Sequence, residues 1–433
     1  MRRLTTWMLL LIALVAPEIA RADLARGDTM VFQPTEQQRT DDDSPKSRHR
    51  IGVGLPDDDW LQAPFGDRLL THPDPWWGGD RRRARQLDVA LDYNRVDLLR
   101  YGLAFQAQAP ETMQPRVGAR LEYSTGRRRV LYGIQLEQPL APPARLVLGA
   151  SLVRRTDHSD LQQVDDAENS LALLLARQDY RDYFEREGAG LYVSWRVPDF
   201  STVSAHLRGD DFRSLARARH VTSWFEKDRP LRDNPAIDEG RARRALLRFE
   251  RLAHQTKRTR AGFYHWVELE RAGGQLGGDF DYTRALADLR SVLRLSPAAT
   301  MSLRGVAGSM LDGVLPRQME FSVGGVDGLR GHPLGAFRGD QMVLMQAEYT
   351  FGLWTLDSNG QGSGSGLNVI AFVDAGTAWH QPAARWDAGR QKLGVDAGVG
   401  LATGENDIRI TFARNLQEPD ADFVVQVRLQ RPF

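Results

Sequence analysis

The sequence predicts an all-β protein, a transmembrane antiparallel β-barrel of about 16 strands in a bacterial outer membrane. Three observations predict it. The chain opens with an export leader. From about Leu87 onward apolar and polar residues alternate with period 2. No segment carries the ~20 apolar residues that a membrane-crossing helix needs.

The leader comes first. Arg2 and Arg3 form a positive start, Trp7 to Ala16 an apolar run, and Ala20-Arg21-Ala22 a small-residue cleavage spacing. Residues 1–22 therefore read as a signal peptide, with Asp23 as the mature N-terminus. Charged residues make up 26% of the chain and are scattered along it, so an averaged hydropathy resembles that of a water-soluble protein. Barrels escape that average because lipid-facing and lumen-facing residues alternate.

Composition removes several classes. The chain has no cysteine, which rules out a disulfide scaffold, a cysteine-held metal and a lipid-modified N-terminal cysteine. A net charge of +1 gives no nucleic-acid footprint. Arginine far outnumbers lysine, which suits a lumen lined with carboxylates, since the arginine fork binds two oxygens at once.

Residues 23–86 show no period. Asp41-Asp42-Asp43, Pro45, Pro56, Asp57-Asp58-Asp59, Pro64, Pro73 and Pro75 interrupt them, and they read as a polar periplasmic linker or strap. The barrel is expected over residues 87–433.

The strand pattern is clearest at the C-terminus. Phe423, Val425, Val427, Leu429 and Phe433 share one face, while Val424, Gln426, Arg428 and Gln430 share the other. Val425, Val427, Leu429 and the final Phe433 together form the expected C-terminal insertion signal. The same alternation runs through Leu393–Leu401, Ile408–Phe412, Val343–Phe351, Ala285–Leu295 and Leu191–Val197. In lipid every backbone polar group needs a partner, so such strands must close into a cylinder. The expected strands begin near 93, 115, 129, 144, 168, 187, 201, 241, 259, 279, 298, 341, 367, 391, 406 and 422. With both termini periplasmic, odd-numbered connections face outside and are the longer ones. The gaps 211–240 and 308–340 fall at the seventh and eleventh connections, both odd. The gaps Ser124–Arg129 and Val197–Ser201 fall at even ones, and so do the more sizeable gaps near 155–168 and 354–367.

The eleventh connection carries the motif Gly324-Gly325-Val326-Asp327-Gly328-Leu329-Arg330-Gly331-His332, then Gly339-Asp340 and a strand holding Glu348. Phe372-Val373-Asp374-Ala375-Gly376 follows, then the glycine-spaced Gly394, Gly398 and Gly400, then Ile408 to Arg414. In this order, these elements resemble the BamA/TamA superfamily of outer-membrane assembly and secretion barrels (the bacterial surface antigen family). The likeness is specific from Glu320 to Phe433 and weaker back to Leu87, where Tyr93-Asn94-Arg95-Val96-Asp97 resembles the opening strand.

The resemblance implies that the long loop folds back into the lumen, with Leu329-Arg330-Gly331-His332 at its tip and His332 where the family has an aromatic ring. It implies that Arg330 bonds Asp374 and Glu348 on the inner wall, with Phe372, Asp374 and Gly376 as the matching strand motif. Side-chain alternation agrees, since Asp374 faces the lumen if Val373 and Ala375 face lipid. A confined carboxylate needs such a partner, and Gly331 would allow close backbone approach. Asp396, Arg284, Asp288, Arg290 and Arg294 read as ordinary lumen charges.

The histidines, His158, His206, His220, His254 and His265 among them, lack metal-ligand spacing, and no Gly-x-Ser-x-Gly elbow occurs; no metal, cofactor or catalysis is expected. The superfamily's assembly members carry periplasmic repeats of about 75 residues, for which residues 23–86 are too few and too irregular. The expected role is assistance in inserting or transporting proteins or lipids at the outer membrane, with membrane lipid and unfolded outer-membrane or secreted proteins as partners. Alternatives are a passive anion-favouring pore and a non-catalytic surface scaffold binding through loops such as 211–240.

Overall fold

The computed structural model describes residues 85–107, 114–141, 146–159, 164–197, 201–251, 262–296, 298–352, 367–380, 392–403, 408–418 and 420–429. The expected signal peptide over 1–22, nearly all of the expected strap over 23–86, and Phe433 of the expected insertion signal lie outside them. Sixteen strands form one antiparallel sheet in sequence order. They are β1 (Arg85–Asn94), β2 (Leu98–Ala107), β3 (Arg116–Ser124), β4 (Arg129–Ala141), β5 (Leu146–His158), β6 (Tyr183–Val197), β7 (Ser201–Ser214), β8 (Gly240–Arg251), β9 (Gly262–Ala272), β10 (Tyr282–Ser296), β11 (Ala299–Gly313), β14 (Gln341–Gly352), β15 (Asn368–Trp379), β16 (Gly394–Ala402), β17 (Arg409–Asn415) and β18 (Val424–Arg428). Two short strands, β12 (Phe321–Val323) and β13 (Phe337–Gly339), pair with each other inside the eleventh connection. One α-helix stands among the described residues, α1 (Asp166–Ala176), in the fifth connection.

The sheet is apolar outside and charged inside. Val373 is 49% exposed while its neighbour Asp374 is wholly buried, and Val425 and Val427 are exposed while Gln426 and Arg428 are buried. On β8 the exposed Leu247 and Phe249 alternate with the buried Arg248 and Glu250. In a water-soluble sheet the two faces would be exchanged; here the exposed face suits lipid and the charged face a closed lumen. No described helix is long and apolar enough to cross a membrane. Inward charges are matched: Arg304 and Arg290 both hold Asp288, Arg284 and Arg244 both hold Glu270, and Arg244 also holds Asp210. Arg294, near the end of β10, is exposed instead.

Two of the expected strands differ from the structure, and the differences cancel in the count. The strand expected from residue 93 is instead a hairpin, β1 and β2, turning at 95–97. That turn holds no glycine or proline. Its stop signal is Asn94, whose side-chain oxygen accepts the N–H groups of Val96 and Asp97, and Leu98 takes a positive φ of 55°. The strand expected near 168 is α1. Leu171, Leu173 and Leu175 imitate strand alternation, but the run is built of helix-forming Ala, Leu and Glu. Asp165 caps its start by accepting the Ala167 N–H. At its end Arg177, with φ 54°, and Gln178 return N–H groups to Leu173 and Ala172.

The gap near 155–168 is thus part of one long fifth connection, and Ser124–Arg129 becomes the third connection, an odd one. The long fifth, seventh and eleventh connections all emerge at the same end of the strands.

Candidate functional site

The eleventh connection is built to turn sharply and enter the lumen. After β12, Gly324 and Gly325 adopt φ values of 127° and 84°, which β-carbon-bearing residues rarely take. The Gly325 N–H donates to the carbonyls of both Leu329 and His332, and His332 donates back to Leu329, which closes the tip on itself. Leu329 is fully buried among Phe321, Val323, Met342 and Leu344. A β-carbon at Gly394 would lie 2.5 Å from Leu329, so the wall glycine makes room for the tip.

Arg330 carries the contact with the wall. Its Nε and Nη2 donate to the two oxygens of Asp374 at 2.7 and 2.8 Å, a bidentate pair. Its Nη1 donates to Glu348 Oε2 at 3.0 Å. The guanidinium carbon sits 3.5 Å from the ring centroid of Phe372. Arg409 binds the other oxygen of Glu348, so that carboxylate is shared by two arginines. Burial opposes the charge on Arg330, yet Asp374 and then Glu348 hold its pKa above the ordinary arginine value.

The rest of the tip is also tied down. Gly331 donates its N–H to Asp396, and a β-carbon there would meet Asn415 N at 2.7 Å and the Arg414 carbonyl carbon at 2.8 Å. His332 Nδ1 lies 2.8 Å from Asp396 Oδ1, and its ring packs 5.5 Å from that of Phe337. The position that is aromatic in the resemblance thus keeps a ring contact and gains a polar one. Gln426 on β18 donates to the Arg330 carbonyl at 2.9 Å. Arg428 donates to the Val326 carbonyl at 3.1 Å, and Gln346 to that of Gly328 at 2.9 Å.

The structure therefore brings Leu329, Arg330, Gly331, His332, Glu348, Phe372 and Asp374 together. Gly376 lies on the same strand as Asp374, where a β-carbon would meet the Val343 carbonyl oxygen at 2.9 Å. Val425 and Val427 face outward, away from the tip. Asp396, Arg409, Gln426 and Arg428 also belong to the site. The period-2 pattern turns each of them inward, but nothing local in the sequence says which loop atom each one meets.

The eleventh connection is not alone in the lumen. Glu168 of α1 holds Arg428, and its Oε2 accepts the Leu429 N–H at 3.3 Å. Burial, working against Arg428, raises the Glu168 pKa above the usual carboxylate value. On the other side of the helix Ser170 Oγ accepts the Tyr93 N–H at 2.8 Å and donates to Asp92 Oδ1 at 2.8 Å. One helix thus touches both the first and the last strand of the sheet.

Comparison with known proteins bears on the family and the fold. An Omp85 superfamily domain matches residues 74–430. An outer membrane protein assembly factor BamA from Nitratidesulfovibrio vulgaris is 26% identical over 259 residues, covering 56% of this chain and 31% of that protein. The chain thus spans about a third of that relative's length. Among solved structures, BamA from Haemophilus ducreyi lacking POTRA domains 1–3 superposes with a TM-score of 0.55 at 14% identity, over 80% of this chain and 69% of that one. CdiB from Acinetobacter baumannii gives a TM-score of 0.45 at 14% identity, over 80% and 59%.

Proposed function

Because the chain belongs to the Omp85 superfamily, we propose that it is an outer-membrane barrel that assists the insertion or transport of proteins, using the seam between its first and last strands. The observation that carries this reading is the seam itself. The ladders run from β1 to β18, and among the described residues none joins those two edges. β1 offers ten residues and β18 only five. An edge strand with free N–H and C=O groups is a template for an incoming strand. The lid pinned by Arg330 would brace the wall beside that seam, since Gln426 and Arg428 of β18 both bind it.

The test is photo-crosslinking in cells, with the probe placed at Leu91 on β1 and, as control, at Leu207 on β7, both exposed on the outer face. Adducts with unfolded outer-membrane or secreted proteins at Leu91 and not at Leu207 support the reading. Lipid adducts alone at both positions remove protein clients from it.

A passive anion pore is less favoured. Inner-wall arginines such as Arg244, Arg284, Arg304 and Arg409 are each bound to carboxylates, so the lumen has little free positive charge to select anions. Planar-bilayer conductance separates the two: small and erratic for a plugged barrel, large, steady and anion-selective for a pore.

A further inference from the structure

We propose that α1 is a releasable staple across the seam, holding the edges of β1 and β18 together from inside the lumen. This inference rests on the seam reading above and adds a device that controls it.

The first argument is which atoms the helix binds. Tyr93 pairs with Leu99 of β2, yet its N–H points to Ser170, so it belongs to the edge that β2 does not use. Leu429 follows Arg428, the last residue of β18 in the ladder with β17. Its N–H is taken by Glu168. Two residues of one helix thus satisfy one backbone donor on the free edge of β1 and one just past the end of β18. Arg428 and Asp92, one on each side, are held by the same two side chains.

The second argument is geometric. Two hydrogen bonds, two short side chains and a two-residue helical rise place the C-terminal ends of β1 and β18 within roughly 20 Å of each other. A five-residue β18 laid against the C-terminal half of β1 spans about 17 Å, so the staple's reach fits a short overlap near Tyr93. Such an overlap leaves the N-terminal part of β1 outside the staple's grip and makes a few bonds near Tyr93 decisive.

The third argument is how the helix is held. Its buried side chains are Glu168, Asn169 and Leu173, while Leu171 and Leu175 are exposed. An amphipathic helix bound by burial shows the opposite pattern. Directed polar contacts fix α1: Glu168 and Ser170 to the edges, Asn169 to Tyr183, Asp166 to Arg181, and the Leu173 and Leu174 carbonyls to Ser223 and Trp224. Contacts of this kind exchange for water one at a time, which a releasable staple requires and a greasy seal would not allow.

The experiment uses the full chain in lipid nanodiscs. It has no cysteine of its own, so Leu91→Cys and Val427→Cys on the outer faces of β1 and β18 take spin labels cleanly. Double electron–electron resonance should give one narrow distance in the parent. With Glu168→Ala and Ser170→Ala added, the population outside that peak should rise by roughly fivefold or more, as expected for losing a bond worth about a factor of ten. Glu168→Gln, which keeps the acceptor for Leu429, should restore the narrow peak. If the double variant does not fold, Ser170→Ala alone removes the β1 bond while leaving Arg428 paired, and it should broaden the peak in the same direction. An unchanged distribution in a folded variant overturns the staple. Insertion of an unfolded barrel client into vesicles is read on the same samples. A seam that loosens while insertion stays at the parental rate keeps the staple and removes the seam from the proposed function.

Discussion

Replacing Arg330 with alanine should be among the most damaging single truncations in the lid. The side chain makes three hydrogen bonds to two buried carboxylates. Glu348 keeps Arg409 when it goes. Asp374 keeps only the Gln346 amide at 3.4 Å and the residue 330 backbone N–H at 3.5 Å. A carboxylate with zero exposure then stands without its counter-charge. Removing one member of a buried pair costs about 3–5 kcal/mol, a large share of the ~5–15 kcal/mol that holds a folded domain. Urea titration of the barrel in detergent micelles, followed by tryptophan fluorescence, should show a lower midpoint with little change in slope. Arg330→Met combined with Asp374→Leu should recover most of the loss, because it removes both charges and fills the space. If Arg330→Ala unfolds within about 0.5 kcal/mol of the parent, as a solvated surface residue would, the pinning account is wrong.

Three further outcomes follow from the same geometry. Gly331→Ala adds a β-carbon against the Asn415 amide and the Arg414 carbonyl carbon, and should lower stability by about 1–3 kcal/mol in the same titration. His332→Phe keeps the ring beside Phe337 but removes the bond to Asp396, and should cost about 1–3 kcal/mol, seen as a lower thermal midpoint. Val427→Arg, on the outward face of β18, should slow or weaken folding into vesicles by up to ~2–4 kcal/mol, depending on its depth. Val314→Arg, in a loop and also exposed, should change almost nothing; equal effects would mean that the outer face does not meet lipid.

Much of this architecture was legible in the sequence, and the parts that were not have physical reasons. Alternation marked β14 to β18 because one face there is apolar and the other polar, and a one-residue slip would exchange them. The pairing of Arg330 with Asp374 was legible through the family resemblance, which implies an infolded loop, and the alternation around Val373 agrees by turning the carboxylate inward. The first hairpin escaped notice because Asn94 makes the turn with its side chain, without the glycine or proline that usually announces one. α1 escaped because three leucines at alternate positions fit a strand as well as a helix, and only the cap at Asp165 and the helix-forming composition separate the two. The partners of Gln426 and Arg428 are set by the closing of the cylinder. Gln426 meets Arg330 across 96 residues and Arg428 meets Glu168 across 260, and no local pattern encodes such pairs.

The central claim is that the tip of the eleventh connection lies packed inside the cylinder, with Arg330 as its main charged tie to the wall. Single-cysteine labelling with a bulky polar maleimide addresses it most directly, since the chain supplies no competing thiol. A cysteine at the exposed Trp224 should react quickly, and one at the buried Leu329 should stay protected until Arg330→Ala is added to the same protein. A Leu329 cysteine that reacts as fast as the one at 224 with Arg330 in place would contradict the account.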